Sequence, residues 1–66
     1  MQVTVNGVAL DLADGTTVAD VVADRTEDRR RVAVARNGEV VPRSAWPATA
    51  LATGDAVEVL VAAAGG

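Results

Sequence analysis

The sequence predicts a small α+β domain in which one helix packs on a sheet of four or five strands. Two Asn-Gly dipeptides, Asn6-Gly7 and Asn37-Gly38, each separate two short strand-like segments. Asn-Gly supplies the positive φ angles of a type I′ turn, so each dipeptide predicts a β-hairpin. Between the hairpins, valines recur at helical spacing, and an alternating Val-rich segment follows residue 55. The order hairpin, helix, hairpin and final strand indicates an α+β fold.

The first hairpin is predicted from residues 2–5 and 8–12, on either side of the first Asn-Gly pair. Its alternation indicates one core face, since side chains two residues apart share a face of the sheet. The residues that we expect on this face are Val3, Val5, Val8, Leu10 and Leu12.

A short helix is predicted to begin after Thr17, following a turn at Asp14-Gly15. Thr17 is a suitable N-cap, and Asp20 lies three residues further on, as in a capping box. The helix should end near Arg25 or Thr26. Asp20 and Asp24 lie one turn apart, but no second acid, base or metal ligand accompanies them. We interpret this pair as part of a solvated helix face rather than as catalytic carboxylates.

A charged loop is expected over residues 24–31 (DRTEDRRR), where acidic residues accompany the arginines. This mixture is more typical of a solvated loop than of a nucleic-acid site. The alternative is that Arg29, Arg30 and Arg31 contact an acidic partner.

The second half of the chain predicts strands over residues 32–36, 39–41 and 56–61. Pro42 should end the second of these strands, and residues 43–47 should be irregular, with Trp46 held extended by Pro47 at the edge of the core. In the final strand, the alternation places Val57, Val59 and Val61 on the core face. Leu60 then lies on the open face, where we expect it to form a partner-docking patch with Ala33, Ala35 and Ala62.

Composition limits the possible functions of this 66-residue chain. It has no Cys, His or Lys, which excludes disulfides, thiol nucleophiles, Cys/His metal sites, a histidine base and a Schiff-base lysine. A net charge of −3 and a single aromatic residue argue against nucleic-acid binding. No signal peptide or membrane-spanning stretch is evident, so we expect a cytoplasmic monomer that does not bind membranes.

The last five residues, Ala62-Ala63-Ala64-Gly65-Gly66, carry no side chain larger than a methyl group. Extended, five residues reach about 17 Å, which would place a carboxylate in another protein's buried site. Small side chains and two glycines suit entry into a narrow channel. We therefore expect a domain over residues 1–61 and a flexible carrier tail over residues 62–66. Small terminal residues are also typical of inert chain ends, so the tail alone does not decide between these interpretations.

Taken together, these segments resemble the ubiquitin-like β-grasp sulfur carriers of the ThiS family. The resemblance covers the whole chain and is carried by residues 5–7 (VNG), 14–20 (DGTTVAD), 30–34 (RRVAV), 37–44 (NGEVVPRS), Trp46, 54–58 (GDAVE) and Gly65-Gly66. It implies a mixed four- to five-stranded sheet with the helix on one face, the last strand beside and parallel to the first, and a flexible Gly-Gly tail.

The resemblance also implies a function in thiamine thiazole biosynthesis. A ThiF-like adenylyltransferase would use ATP and Mg to activate the Gly66 carboxylate, and sulfur from a cysteine desulfurase or another donor would convert it to a thiocarboxylate. A ThiG-like thiazole synthase would accept that sulfur. Gly65 and Ala64 would be needed for entry into the partner's active site. The chain would be a carrier and a substrate, not an enzyme, with no cofactor of its own.

Four alternatives remain open from the sequence. The same chemistry serves carriers of molybdopterin synthesis, which are usually longer and richer in aromatic residues, and carriers of cysteine synthesis. A protein modifier is another possibility. From a different class, the chain could be a β-grasp interaction module with an inert tail.

Overall fold

The computed structural model describes residues 1–26 and 29–62 of the chain. The regular elements are β1 (Gln2–Val5), β2 (Val8–Asp11), α1 (Val18–Arg25), β3 (Val32–Arg36), β4 (Glu39–Val41) and β5 (Ala56–Val61). Two 3₁₀ segments, Arg29–Arg31 and Arg43–Ala48, precede β3 and follow β4.

The five strands form one mixed sheet in the order β2-β1-β5-β3-β4. β5 pairs in parallel with β1 and antiparallel with β3, so the last strand lies in the middle of the sheet. Both hairpins and the parallel pairing of the first and last strands are confirmed. The predicted α+β class and mixed sheet are therefore correct, with five strands.

The two Asn-Gly turns have the backbone angles that a type I′ turn requires. Asn6 and Gly7 have φ angles of 51° and 80°, and Asn37 and Gly38 have angles of 52° and 83°. Each turn connects directly paired residues, Val5 with Val8 and Arg36 with Glu39. The local sequence alone thus fixes the register of both hairpins.

Helix α1 begins with the predicted capping box. The Asp20 N–H donates to Thr17 Oγ1 at 3.2 Å, and the Thr17 N–H donates to Asp20 Oδ2 at 2.9 Å. The helix ends at Arg25 with Thr26 as C-cap, as expected. Asp20 therefore acts as a helix cap, which supports its interpretation as a structural residue.

The core lies between α1 and one face of the sheet and is built almost entirely from valine. Its buried side chains are Val3, Val5, Val18, Val21, Val22, Val32, Val34, Trp46, Leu51, Val57 and Val59. Leu10 and Leu12 are partly buried against this cluster. The other face of the sheet has no helix of the described chain packed on it.

Two valines that we predicted in the core are exposed. Val8 is 58% exposed and Val61 is 54% exposed. Val8 begins the edge strand β2 and Val61 ends β5, so both continue the alternation beyond the buried cluster. Periodicity predicts which face a residue shares, but not how far the opposing layer extends along the strand.

The prediction of an irregular segment over residues 43–47 is wrong. Arg43–Ala48 is a 3₁₀ helix that contains Pro47, and Trp46 is only 2% exposed. The Trp46 Nε1–H donates to the Val41 carbonyl oxygen at 2.9 Å. Burial of the indole, with its N–H satisfied, outweighs the preference of a residue before proline for extended backbone. Trp46 belongs to the core rather than to its edge.

Candidate functional site

The site begins where the chain leaves the sheet at the end of β5. The Ala62 N–H donates to the Arg31 carbonyl oxygen at 2.8 Å, and this bond holds the first residue of the tail. The exposed Ala62 is thus held beside the start of β3. The predicted site residues Ala64, Gly65 and Gly66 lie outside the described residues. The fold therefore fixes the point from which the tail starts.

Strand β5 is held in the sheet by side chains as well as by backbone bonds. Asn6 Oδ1 accepts from the Val59 N–H at 2.8 Å, and Asn6 Nδ2 donates to the Val59 carbonyl oxygen at 3.1 Å. Asn37 Oδ1 accepts from the Ala56 N–H at 2.9 Å. Both turn asparagines therefore fix β5 in addition to shaping their own hairpins. Sequence reasoning missed this second function because it depends on which strands become neighbours.

Leu60 lies on the open face of the sheet, as predicted, and is 65% exposed. The register places Ala33 directly opposite Leu60, and Ala35 directly opposite both Glu58 and Val40. Val40 is 79% exposed and was not among the predicted docking residues. The hairpin register given by Asn37-Gly38 already pairs Ala35 with Val40, so this signal was present in the sequence. We call Ala33, Ala35, Val40 and Leu60 the open-face patch.

A buried charge network lies at the opposite end of β5 from the tail. Asp55 accepts from Arg36 Nε at 2.8 Å, from Asn37 Nδ2 at 3.0 Å and from the Ala52 N–H at 2.8 Å. Burial by itself would raise the pKa of Asp55, but these hydrogen bonds and the Arg36 charge outweigh it. The pKa of Asp55 is therefore lower than its ordinary value of 3.8. Both carboxylate oxygens accept hydrogen bonds that connect parts of the fold, which argues against a catalytic function for this carboxylate.

Two kinds of feature are absent from the residues that the structure describes. Within residues 1–26 and 29–62, no group of three or more His, Cys, Asp or Glu side chains is placed to hold a metal ion. None of the helices described is both long enough and apolar enough to cross a membrane. The features that the fold does position are the tail's starting point and the open-face patch.

Comparison with known proteins identifies the family to which these features belong. The family model described as the ThiS family matches residues 3–66. The chain belongs to the ThiS family. A crystal structure of a thiamine biosynthesis protein (ThiS) from Geobacter metallireducens is 38% identical, with a TM-score of 0.80 and full coverage of both chains. The NMR structure of a thiamine biosynthesis protein from the same organism is also 38% identical, with a TM-score of 0.79, and covers all of this chain and 88% of that one.

A curated relative combines ThiS-like sequence with a much longer chain. The thiazole synthase of Paramagnetospirillum magneticum is 33% identical over 66 residues, which is all of this ThiS-family chain but 20% of the relative. The chain thus spans about one fifth of the length of that relative. The likeness concerns this portion of the relative.

Proposed function

We propose that this chain is a sulfur carrier of thiamine biosynthesis that carries sulfur on the carboxyl group of Gly66. The observation that carries the proposal is the ThiS family match over residues 3–66, which includes Gly65 and Gly66. The likeness to thiamine biosynthesis proteins of the same fold supports it. So does the position of the exposed Ala62 directly after β5, the central strand of the sheet, where a hydrogen bond to Arg31 fixes the start of the tail.

The proposed chemistry takes place on the tail and within partner enzymes. A carboxylate oxygen of Gly66 attacks the α-phosphorus of ATP in a ThiF-like adenylyltransferase, where Mg²⁺ accompanies the nucleotide, and pyrophosphate leaves. The terminal sulfur of a persulfide, supplied by a cysteine desulfurase or another donor, then attacks the acyl carbon and AMP leaves. A further thiol cleaves the resulting acyl disulfide, which releases the Gly66 thiocarboxylate. The carrier contributes only the carboxyl group, so it is a substrate in each step.

A ThiG-like thiazole synthase is the proposed acceptor of the sulfur. The support is that a thiazole synthase contains a segment 33% identical to this whole chain. A carrier-like segment within the same polypeptide as a synthase indicates that the two activities work together. This relationship favours the thiamine pathway over molybdopterin or cysteine synthesis.

Intact mass spectrometry tests the carrier function directly. The full chain is incubated with a ThiF-like adenylyltransferase, ATP, Mg²⁺ and a sulfur donor, beside a variant that lacks Gly66. We expect a mass gain equal to replacement of one oxygen by sulfur in the full chain and no gain in the shortened one. Binding of the adenylyltransferase without any adduct would favour an interaction module with an inert tail.

The open-face patch is the proposed docking surface for these enzymes. Leu60→Glu should weaken partner binding by about tenfold or more, because it replaces an exposed apolar side chain of the patch with a charged one. Val8→Glu is the matched control, since Val8 is similarly exposed but belongs to the edge strand β2. Affinity is measured by titration calorimetry, and thermal unfolding checks that both variants fold. Equal affinities for the two variants would exclude the patch as the docking site.

A further inference from the structure

Three arginines from two separate segments of the sequence lie near the point where the tail begins. The Arg31 carbonyl oxygen accepts from the Ala62 N–H at 2.8 Å, and Arg43 Nη2 donates to the Arg30 carbonyl oxygen at 3.2 Å. These bonds bring the Arg29–Arg31 segment, the start of the Arg43–Ala48 helix and the end of β5 together. The side chains of Arg30, Arg31 and Arg43 are exposed. We call these three residues the arginine cluster.

The arginine cluster contrasts with the charge of the whole molecule. The chain has a net charge of −3 and only six basic residues, all of them arginine. The other three are Arg25, Arg29 and Arg36, of which Arg36 is paired with Asp55 and Arg25 lies in a groove beside Leu10 and Leu12. Three of the six arginines therefore lie in segments that the two hydrogen bonds above connect to the start of the tail. Exposed arginine side chains grouped in this way attract and orient an acidic partner during association.

We propose that the arginine cluster is an electrostatic docking site for an acidic protein surface beside the channel of the adenylyltransferase that receives the tail. This inference rests on the proposed function and adds the chemical character of the partner's surface. An enzyme that holds the Gly66 carboxyl must also approach the residue from which the tail starts. The surface at the mouth of its channel therefore meets the arginine cluster.

The length of the tail identifies the ligand as protein rather than nucleotide. Four residues separate Ala62 from the end of residue 66, and they span about 14 Å when extended. The α-phosphate of ATP must contact the Gly66 carboxyl group when the carboxyl group reacts. If the tail is extended, the phosphates then lie about 14 Å from Ala62. During adenylation, the arginine cluster is therefore closer to carboxylates of the adenylyltransferase at the mouth of its channel than to the phosphates of ATP.

Adenylation kinetics of the full chain provide the test, with ATP–pyrophosphate exchange as the readout. Arg30→Glu and Arg31→Glu should each raise the KM for the carrier about tenfold at low ionic strength and change kcat by less than about twofold. Arg25→Glu is the matched control, because it makes the same charge change on the side of α1 that faces β2. Its KM should stay within about twofold of the wild-type value.

The salt dependence of KM distinguishes long-range electrostatic attraction from a local structural effect of the substitutions. The KM of the unaltered carrier should rise as salt is raised from about 20 mM to about 500 mM, and the difference between wild type and cluster variants should shrink. A wild-type KM that does not change with salt would overturn the proposal without any variant. Equal KM values for Arg30→Glu, Arg31→Glu and Arg25→Glu at low salt would also overturn it.

The outcomes separate this inference from the function on which it rests. Absence of pyrophosphate exchange with the unaltered chain would contradict the carrier function itself. Normal exchange with no effect of the cluster variants would leave the carrier function in place and remove only the docking site. Binding of the cluster to a double-stranded oligonucleotide, with KM unaffected, would assign it to nucleic acid and overturn the proposal.

Discussion

At the scale of single residues, Asp55 shows how one buried charge can connect three parts of a small fold. Its carboxylate joins the end of β3, the second Asn-Gly turn and the backbone of the loop before β5. Its side chain is 8% exposed, whereas that of Arg36 is 33% exposed. The arginine therefore keeps part of its hydration while the carboxylate is satisfied by protein donors. This arrangement avoids most of the cost of burying a pair of charges.

The lowered pKa of Asp55 predicts a loss of stability in acid. The folded state favours the ionised carboxylate, so its contribution is complete above the ordinary value of 3.8 and is lost as the pH falls through the lower, folded-state pKa. Urea unfolding between about pH 6 and about pH 2 should show the wild-type free energy of unfolding falling more steeply than that of Asp55→Asn. Asp24→Asn, which removes an exposed carboxylate, should keep the wild-type profile. Parallel profiles for wild type and Asp55→Asn would contradict the prediction.

At the scale of elements, the parallel pairing of β1 with β5 is short, and a side chain extends it. The backbone register covers Thr4 with Ala56 and Val5 with Val57. Beyond this point, the Asn6 amide bonds to both the N–H and the carbonyl oxygen of Val59. The Asn6 side chain thus makes the two hydrogen bonds that a backbone residue of β1 would make, at the point where β1 ends and its hairpin turn begins. It steadies the half of β5 that leads to the tail.

Asn6→Gly should weaken this connection without disturbing the turn, because glycine readily adopts the positive φ angle of Asn6. Loss of two hydrogen bonds should lower the free energy of unfolding by about 1 to 3 kcal/mol. Hydrogen exchange should show that the Val59 amide loses more protection than the Leu51 amide, which bonds to the Thr16 carbonyl oxygen. Asn6→Asp is the matched control, since it keeps the acceptor for Val59 and loses only the donor. Equal loss of protection at Val59 and Leu51 would indicate global destabilisation instead.

At the scale of the whole molecule, stability rests on a small core of branched side chains. Domains of this size typically gain only about 3 to 5 kcal/mol from one apolar core. Val5, Val18 and Val22 are fully buried, so a cavity at any of them affects a large part of that stability. The open face instead carries exposed apolar residues, among them Val40 and Leu60, which add little to this core.

Val22→Ala should lower the free energy of unfolding by about 2 kcal/mol, because it removes two buried methyl groups from a site that α1 and the sheet enclose. Val40→Ala makes the same chemical change at a residue that is 79% exposed, and it should alter stability by less than about 0.5 kcal/mol. Fluorescence of Trp46, the single tryptophan, follows unfolding in urea. Similar losses for the two variants would show that burial in the core is not the source of stability.

The sequence by itself determined the elements whose signals are local. Asn-Gly turns require particular backbone angles, the Thr17 and Asp20 pair satisfies the first N–H groups of a helix, and alternation assigns the faces of a strand. These signals predicted both hairpins, the bounds of α1 and the outward position of Leu60. The order of the sheet came from family resemblance, because alternation does not identify a strand's neighbours.

Only the tertiary structure decided the features that depend on contacts between distant residues. Val8 and Val61 lie outside the core because the buried cluster ends before them. Residues 43–48 form a 3₁₀ helix in which Trp46 is buried. The tertiary structure also brought Arg43 beside Arg30 and placed Arg31 against Ala62 at the start of the tail. Local patterns specify what each segment prefers, whereas packing decides which preferences are satisfied and which side chains meet.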